Sequence, residues 1–120
     1  MATIALTLDD FAATIARPGI VLVDWWASWC GPCQSFAPVF EKASERHADV
    51  VFAKVDTDAE QALAARFQIR SIPMLMAFRD GLPVFSQPGA MPPAKLEEVI
   101  RTVRAIDVVA LKKQLASLSK

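Results

Sequence analysis

An excess of charge of either sign is missing from this chain: 13 basic residues stand against 13 acidic ones. A neutral chain has no field to draw in nucleic acid or an anionic membrane surface, so neither is expected as a partner. Long apolar runs are missing too. The best one starts at Ile20 and is cut by Asp24, far short of a bilayer span. The N-terminus has no basic region, and Asp9 and Asp10 interrupt its apolar start. No secretory signal is read there, and a cytoplasmic location is expected. Internal repeats, low-complexity tracts and linkers are likewise absent. At 120 residues one domain with a real core is expected, where two would be cramped.

Cysteine is scarce. Cys30 and Cys33, three positions apart, are the only two. A helix opening after the first would bring both sulfurs to one face of its first turn, close enough to join. Three readings of such a pair stand open. A structural disulfide would close a very short loop, worth roughly 2 kcal/mol in loop entropy against about 4.7 kcal/mol for a hundred residues. A staple would sit better elsewhere. A structural zinc needs four ligands, and His47, the only histidine, is the one residue that could join two sulfurs. Redox chemistry asks only for the pair itself and a helix start, and is the favoured reading; no metal is expected.

What is present reads in order. Thr3 to Leu8 suggests a short edge strand. Asp9 or Asp10 can cap a first helix with Phe11 and Ile15 inward, and Arg17-Pro18-Gly19 stops it. Ile20 to Trp26 is a continuous apolar strand, as found where both faces are covered. A second helix follows from Gly31 to His47, burying Phe36, Val39, Phe40 and Ala43; Pro38 inside it predicts a kink. Val50 to Asp56, carrying Lys54, is a second central strand, and Asp58 opens a third helix with Leu63 and Phe67 inward. Ile69 to Pro73 is a loop and Met74 to Phe78 a strand. Asp80-Gly81 is a hairpin turn, and Pro83 marks the returning strand as an edge. Gly89-Ala90 is a further turn.

A fourth helix from Pro92 to Arg104 buries Leu96, Val99, Ile100 and Val103. Strands alternating with helices and ending in a hairpin give an α/β fold: a central mixed β-sheet flanked by helices on both faces. Residues 1–106 form the domain, and 107–120 a C-terminal helical extension of it. Asp107 can cap that extra helix, with Val108, Leu111, Leu115 and Leu118 at heptad-like spacing. Packing back on the domain is expected of it, with a dimer or partner contact as the alternative. His47 is expected on a solvated surface, and Trp25 and Trp26 in the core rather than on a docking surface.

Several stretches together carry a resemblance. Val23-Asp24-Trp25-Trp26-Ala27-Ser28-Trp29-Cys30-Gly31-Pro32-Cys33 comes first, then Ala53-Lys54-Val55-Asp56, Ile69-Arg70-Ser71-Ile72-Pro73, Gly81 and Gly89. In this order, over about residues 4 to 104, the chain resembles the thioredoxin family. The resemblance implies the thioredoxin fold and a thiol–disulfide oxidoreductase that reduces protein disulfides. Electrons would pass through the Cys30/Cys33 dithiol and a mixed disulfide, recharged by an NADPH-dependent thioredoxin reductase. The chain itself would hold no cofactor and act as a monomer.

Residue roles follow. At a helix start, free N–H groups and the positive dipole end favour a thiolate, so Cys30 would be the attacking thiol. Cys33, deeper by one turn, would resolve the mixed disulfide. Asp24 follows four apolar residues; burying it is costly unless it is paired or protonated, so its pKa should rise. It either holds structure alone or, as the resemblance implies, accepts the Cys33 proton, with Lys54 as partial counter-charge. Gly31-Pro32 adds no charge and one fewer N–H donor, which leaves the dithiol unstabilised and predicts a reductant of low potential.

Trp29, Gly31, Pro32, Ile72, Pro73, Gly89 and Ala90 match positions that in thioredoxins surround the exposed sulfur and bind substrate. The resemblance also implies a cis Ile72–Pro73 bond, placing the Ile72 backbone beside Cys30 to pair with an extended substrate. Two departures stand out: Met74 where threonine is usual, and Gln34 where lysine or arginine is common. Two other functions stay in play. An oxidase or isomerase is disfavoured by Gly31-Pro32. An interaction module is disfavoured by the retention of both cysteines and Asp24.

Overall fold

The structure is a computed structural model and describes residues 2–118. Its organising element is β2 (Ile20–Trp26), in which every residue but Trp26 is buried. That burial is why the stretch lacks polar alternation. β3 (Val51–Asp56) lies parallel to β2 on one side, and β1 (Thr3–Ala5) parallel to β3 at the edge. On the other side β4 (Met74–Arg79) runs antiparallel to β2, and β5 (Leu82–Pro88) antiparallel to β4. The order β1-β3-β2-β4-β5 is the expected mixed sheet, with Pro83 on the edge strand.

Alternation along β2 sorts the core into two layers. Leu22 faces α2 (Gly31–Arg46) and α4 (Pro93–Arg104), among Phe36, Phe40, Phe52, Leu96 and Ile100. Val21, Val23 and Trp25 face the opposite way, towards Phe11 of α1 (Leu8–Ile15) and Leu63 of α3 (Gln61–Arg66). The hairpin turn at Asp80-Gly81 has positive φ at both residues, 49° and 83°. These are the values a two-residue turn needs to match the twist of its strands.

Several local expectations need correction. The first helix is capped by Thr7, not Asp9 or Asp10; Asp10 sits three residues in, and its carboxylate accepts the Thr7 N–H at 2.7 Å. A capping box needs both partners, so the acid plays the reaching-back role. The third helix starts at Gln61 rather than Asp58. The Asp56 carboxylate accepts the N–H groups of Asp58 and Ala59 at 2.9 and 3.4 Å, which holds that stretch as a turn.

His47 is not a freely solvated side chain. Its Nε2 lies 2.8 Å from Glu97, and its Nδ1 3.1 Å from the Arg104 guanidinium. Arg104 also grips Asp49 with both Nη atoms, pushing that carboxyl down to about 2. The network ties the end of α2 to the end of α4, which sequence spacing alone does not reveal.

The C-terminal extension departs furthest. α5 (Val108–Leu118) is a helix, but none of its residues is buried, and Leu118 is 81% exposed. Of its expected apolar stripe, Val108 and Leu111 are half-buried while Leu115 and Leu118 are exposed, so the far half does not pack back as expected. The Arg79 guanidinium caps the carbonyls of Val103, Arg104 and Ile106 at 2.8–3.3 Å, closing α4 off. With α2 and α4 on one face of the sheet and α1 and α3 on the other, the apolar faces are already occupied. Within residues 2–118 no helix is long and apolar enough to cross a membrane.

Candidate active site

β2 ends in a tight turn that delivers Cys30 to the mouth of α2. The Cys30 N–H donates to Ala27 O at 3.2 Å, and Cys30 becomes the N-cap of the helix. Pro32 sits in the first helical turn, where a missing N–H costs nothing because that donor would have no partner. Cys30 and Cys33 are joined in a disulfide, with Cα atoms 5.2 Å apart. The Cys33 N–H points at the Cys30 Sγ from 3.2 Å. A sulfur there is fed by a backbone donor and the positive end of α2, which favours a thiolate once the bond is reduced.

Burial differs from one expectation. Cys30, expected to be exposed, is only 5% accessible, against 3% for Cys33. Both pack with Ala27, Trp26 and Ile72. The order of depth holds, but little of Cys30 is open to solvent. Trp26 also differs. Trp25 is fully buried, whereas Trp26 is half-buried and forms a wall of the cysteine cluster.

Ile72 comes from the loop before β4, 42 positions along the chain from Cys30. The Ile72–Pro73 bond is cis. The Ile72 carbonyl oxygen lies 3.7 Å from Cys30 Sγ. In the disulfide this sulfur carries no proton, so the approach is a contact rather than a hydrogen bond. Among the described residues the Ile72 amide and carbonyl have no backbone partner. Pro73 O accepts the Gly89 N–H at 2.8 Å, drawing the 89–90 turn alongside. Gly89 has φ +99°, a conformation that glycine adopts without strain.

Trp29 is 70% exposed, but it is not loose. Its indole N–H donates to the Asp58 carboxylate at 2.9 Å. Asp58, which the sequence suggests only as the opening of a third helix, is thereby joined to Trp29. Gln34, in the position where a cation is common, donates instead to Ser28 O at 2.8 Å and braces the turn before Cys30.

Asp24 lies beneath. Alternation puts it on the α2 side of β2, between Leu22 in the core and Trp26 in the cysteine cluster. It is 1% exposed, and neither carboxylate oxygen has a hydrogen-bond partner. Burial pushes its carboxyl up to about 7, with the Lys54 charge pulling the other way. Lys54 is its partner in the β2–β3 register, and the Lys54 ammonium rests over the Trp26 ring, 5.0 Å from the centroid. Among the described residues no cluster of histidine, cysteine and carboxylate is arranged to hold a metal. Met74 lies on the opposite face, against the Trp25 layer, so its departure from threonine bears on the back of the site rather than on the sulfurs.

Comparison with known proteins agrees with this geometry. The thioredoxin family model matches residues 2–102. A Streptomyces coelicolor protein described as putative thioredoxin 2 is 48% identical over 114 residues, covering 95% of this chain and 85% of its own. Staphylococcus aureus thioredoxin is 41% identical over 103 residues, covering 83% and 96%. Among solved structures, Malassezia sympodialis thioredoxin superposes with a TM-score of 0.78 at 35% identity, covering 86% and 91%. Plasmodium falciparum thioredoxin does so at 0.76 and 31%, covering 83% and 97%. The fold, the helix-mouth disulfide and these relatives converge: the chain belongs to the thioredoxin family.

Proposed function

We propose that this protein reduces disulfides in other proteins, passing them the electron pair stored in the Cys30/Cys33 dithiol. The observation that carries the reading is the Cys30–Cys33 disulfide set into the first turn of α2. The Cys30 thiolate attacks one sulfur of the target, forming a mixed disulfide and expelling the first target thiolate. Cys33 then attacks Cys30 Sγ, closing the internal disulfide and expelling the second. Two electrons reach the target, and the protein is left oxidised.

Cys33 must lose a proton in a buried place. Asp24 accepts it: a carboxyl held near 7 is ready to exchange protons at neutral pH, which an ordinary aspartate is not. Lys54 keeps the carboxylate form within reach. Trp29, Gly31, Pro32, Ile72, Pro73, Gly89 and Ala90 form the docking rim, and the unpartnered Ile72 backbone pairs with an extended target. Such pairing ignores side-chain identity and suits many substrates. A thioredoxin reductase drawing on NADPH restores the dithiol. The protein works as a monomeric electron carrier in the cytoplasm, with 1–106 as the catalytic domain and 107–120 appended to it.

The test is reduction of insulin by NADPH with this protein, with and without thioredoxin reductase. Turnover that needs both proteins supports the reading. No turnover with a reductase known to be active sinks it.

A further inference from the structure

We propose that a groove between α2 and the start of α4 is a second docking subsite, reading an acidic, aliphatic segment of the disulfide-bearing partner. The inference rests on the reductase reading and names a feature of its substrates. Cys30, Gln34, Pro38, Lys42 and Arg46 follow one another at four-residue intervals, so they form a single ridge along α2. The four that follow Cys30 are all exposed. Beside the far half of this ridge lies a groove of about 160 Å³ lined by Pro38, Val39, Lys42, Arg46 and Pro93.

Its chemistry is specific. Pro38, Val39 and Pro93 give an apolar floor suited to an aliphatic side chain. The rim is cationic. Arg46 shares its charge with Glu97 at 3.0 Å, but Lys42 has no acid or hydrogen-bond partner among the described residues. A free ammonium beside an apolar floor complements a carboxylate next to an aliphatic residue. The groove and the proposed docking rim are linked along the chain, since Pro93 follows Ala90 by three residues. Pro38 lies eight residues beyond Cys30, or about 12 Å along the helix at 1.5 Å per residue. An extended peptide covers that in about four residues at roughly 3.3 Å each.

The test uses two disulfide peptides differing only in charge. Each carries a leucine four residues from the reacting cysteine, followed by two glutamates in one peptide and two glutamines in the other. Second-order rate constants are measured with the pre-reduced protein. The acidic peptide should react about fivefold faster at low ionic strength, within the range of exposed charge pairs. The advantage should vanish at high salt, and Lys42→Glu should reverse it. Lys112→Glu, the same charge change on α5, should leave the preference intact. Equal rates for the two peptides, or a preference that survives Lys42→Glu, would overturn the subsite. Failure to reduce either peptide would instead overturn the reductase reading beneath it.

Discussion

Asp24 and Lys54 are paired residues in the β2–β3 ladder, yet no hydrogen bond joins their side chains. The ammonium rests over the Trp26 ring, and the buried carboxylate feels it only as a Coulombic pull. Desolvation therefore wins. The carboxyl rises from 3.8 to about 7, the value that the proposed role as proton acceptor for Cys33 calls for at neutral pH.

The first consequence concerns stability. A carboxyl with a raised pKa favours the folded state when protonated, so the benefit is full below about pH 4 and is lost as pH rises to 7. A shift of that size corresponds to about 4 kcal/mol. Asp24→Asn, which cannot ionise, should gain stability relative to the parent by that order at pH 8, with the gain shrinking towards pH 4. Urea unfolding at the two pH values measures it; a gain independent of pH would contradict the shift.

The same substitution should slow the second chemical step. Without an acceptor for the Cys33 proton, the mixed disulfide should persist, its resolution slowed on the order of a hundredfold at pH 7. Quench-flow trapping of the mixed disulfide reads this directly. The parent's rate should inflect near pH 7 and the variant's should not.

Cys30 should react first when the dithiol is alkylated at mild pH. Its sulfur receives the Cys33 N–H and the helix dipole, whereas Cys33 is the deeper of the two. Brief iodoacetamide treatment followed by peptide mapping decides the order. Labelling that favours Cys33 would exchange the two roles.

Asp58→Ala should free the Trp29 indole and lower the rate of insulin reduction. An exposed hydrogen bond of this kind contributes about 1 kcal/mol or less, so stability should barely change. Asp58→Asn keeps an acceptor oxygen and should restore the rate. Lack of rescue would mean that the negative charge, rather than the positioning of Trp29, is what matters.

Removing residues 107–120 should alter unfolding free energy by only about 1 kcal/mol, because no residue of α5 is fully buried. Insulin reduction should be retained. A lost core contact would show as a drop of several kcal/mol in the urea transition.

Much of the site was legible because it is local. Cys30 and Cys33 are three residues apart on one helical turn, and the apolar run of β2 announces a buried strand whatever surrounds it. Asp24 stood out for a related reason, as a charge inside a stretch with no room for water. Asp58 was misread because an acid before an apolar pattern looks like a helix cap, and nothing nearby in sequence reveals the Trp29 indole that it binds. The α5 stripe was misread because periodicity tells which residues share a face, not whether another surface remains to cover it.

The sequence by itself determined the strand, the helix start, the spacing of the two sulfurs and the apolar faces, since each depends on residues a few positions apart. Only the tertiary structure brought Ile72 to Cys30, set Lys54 opposite Asp24 and left Leu115 and Leu118 of the α5 stripe exposed. Those relationships join segments far apart in the chain. They follow from ladder register and from which faces of the sheet are already filled, and local periodicity carries no record of either.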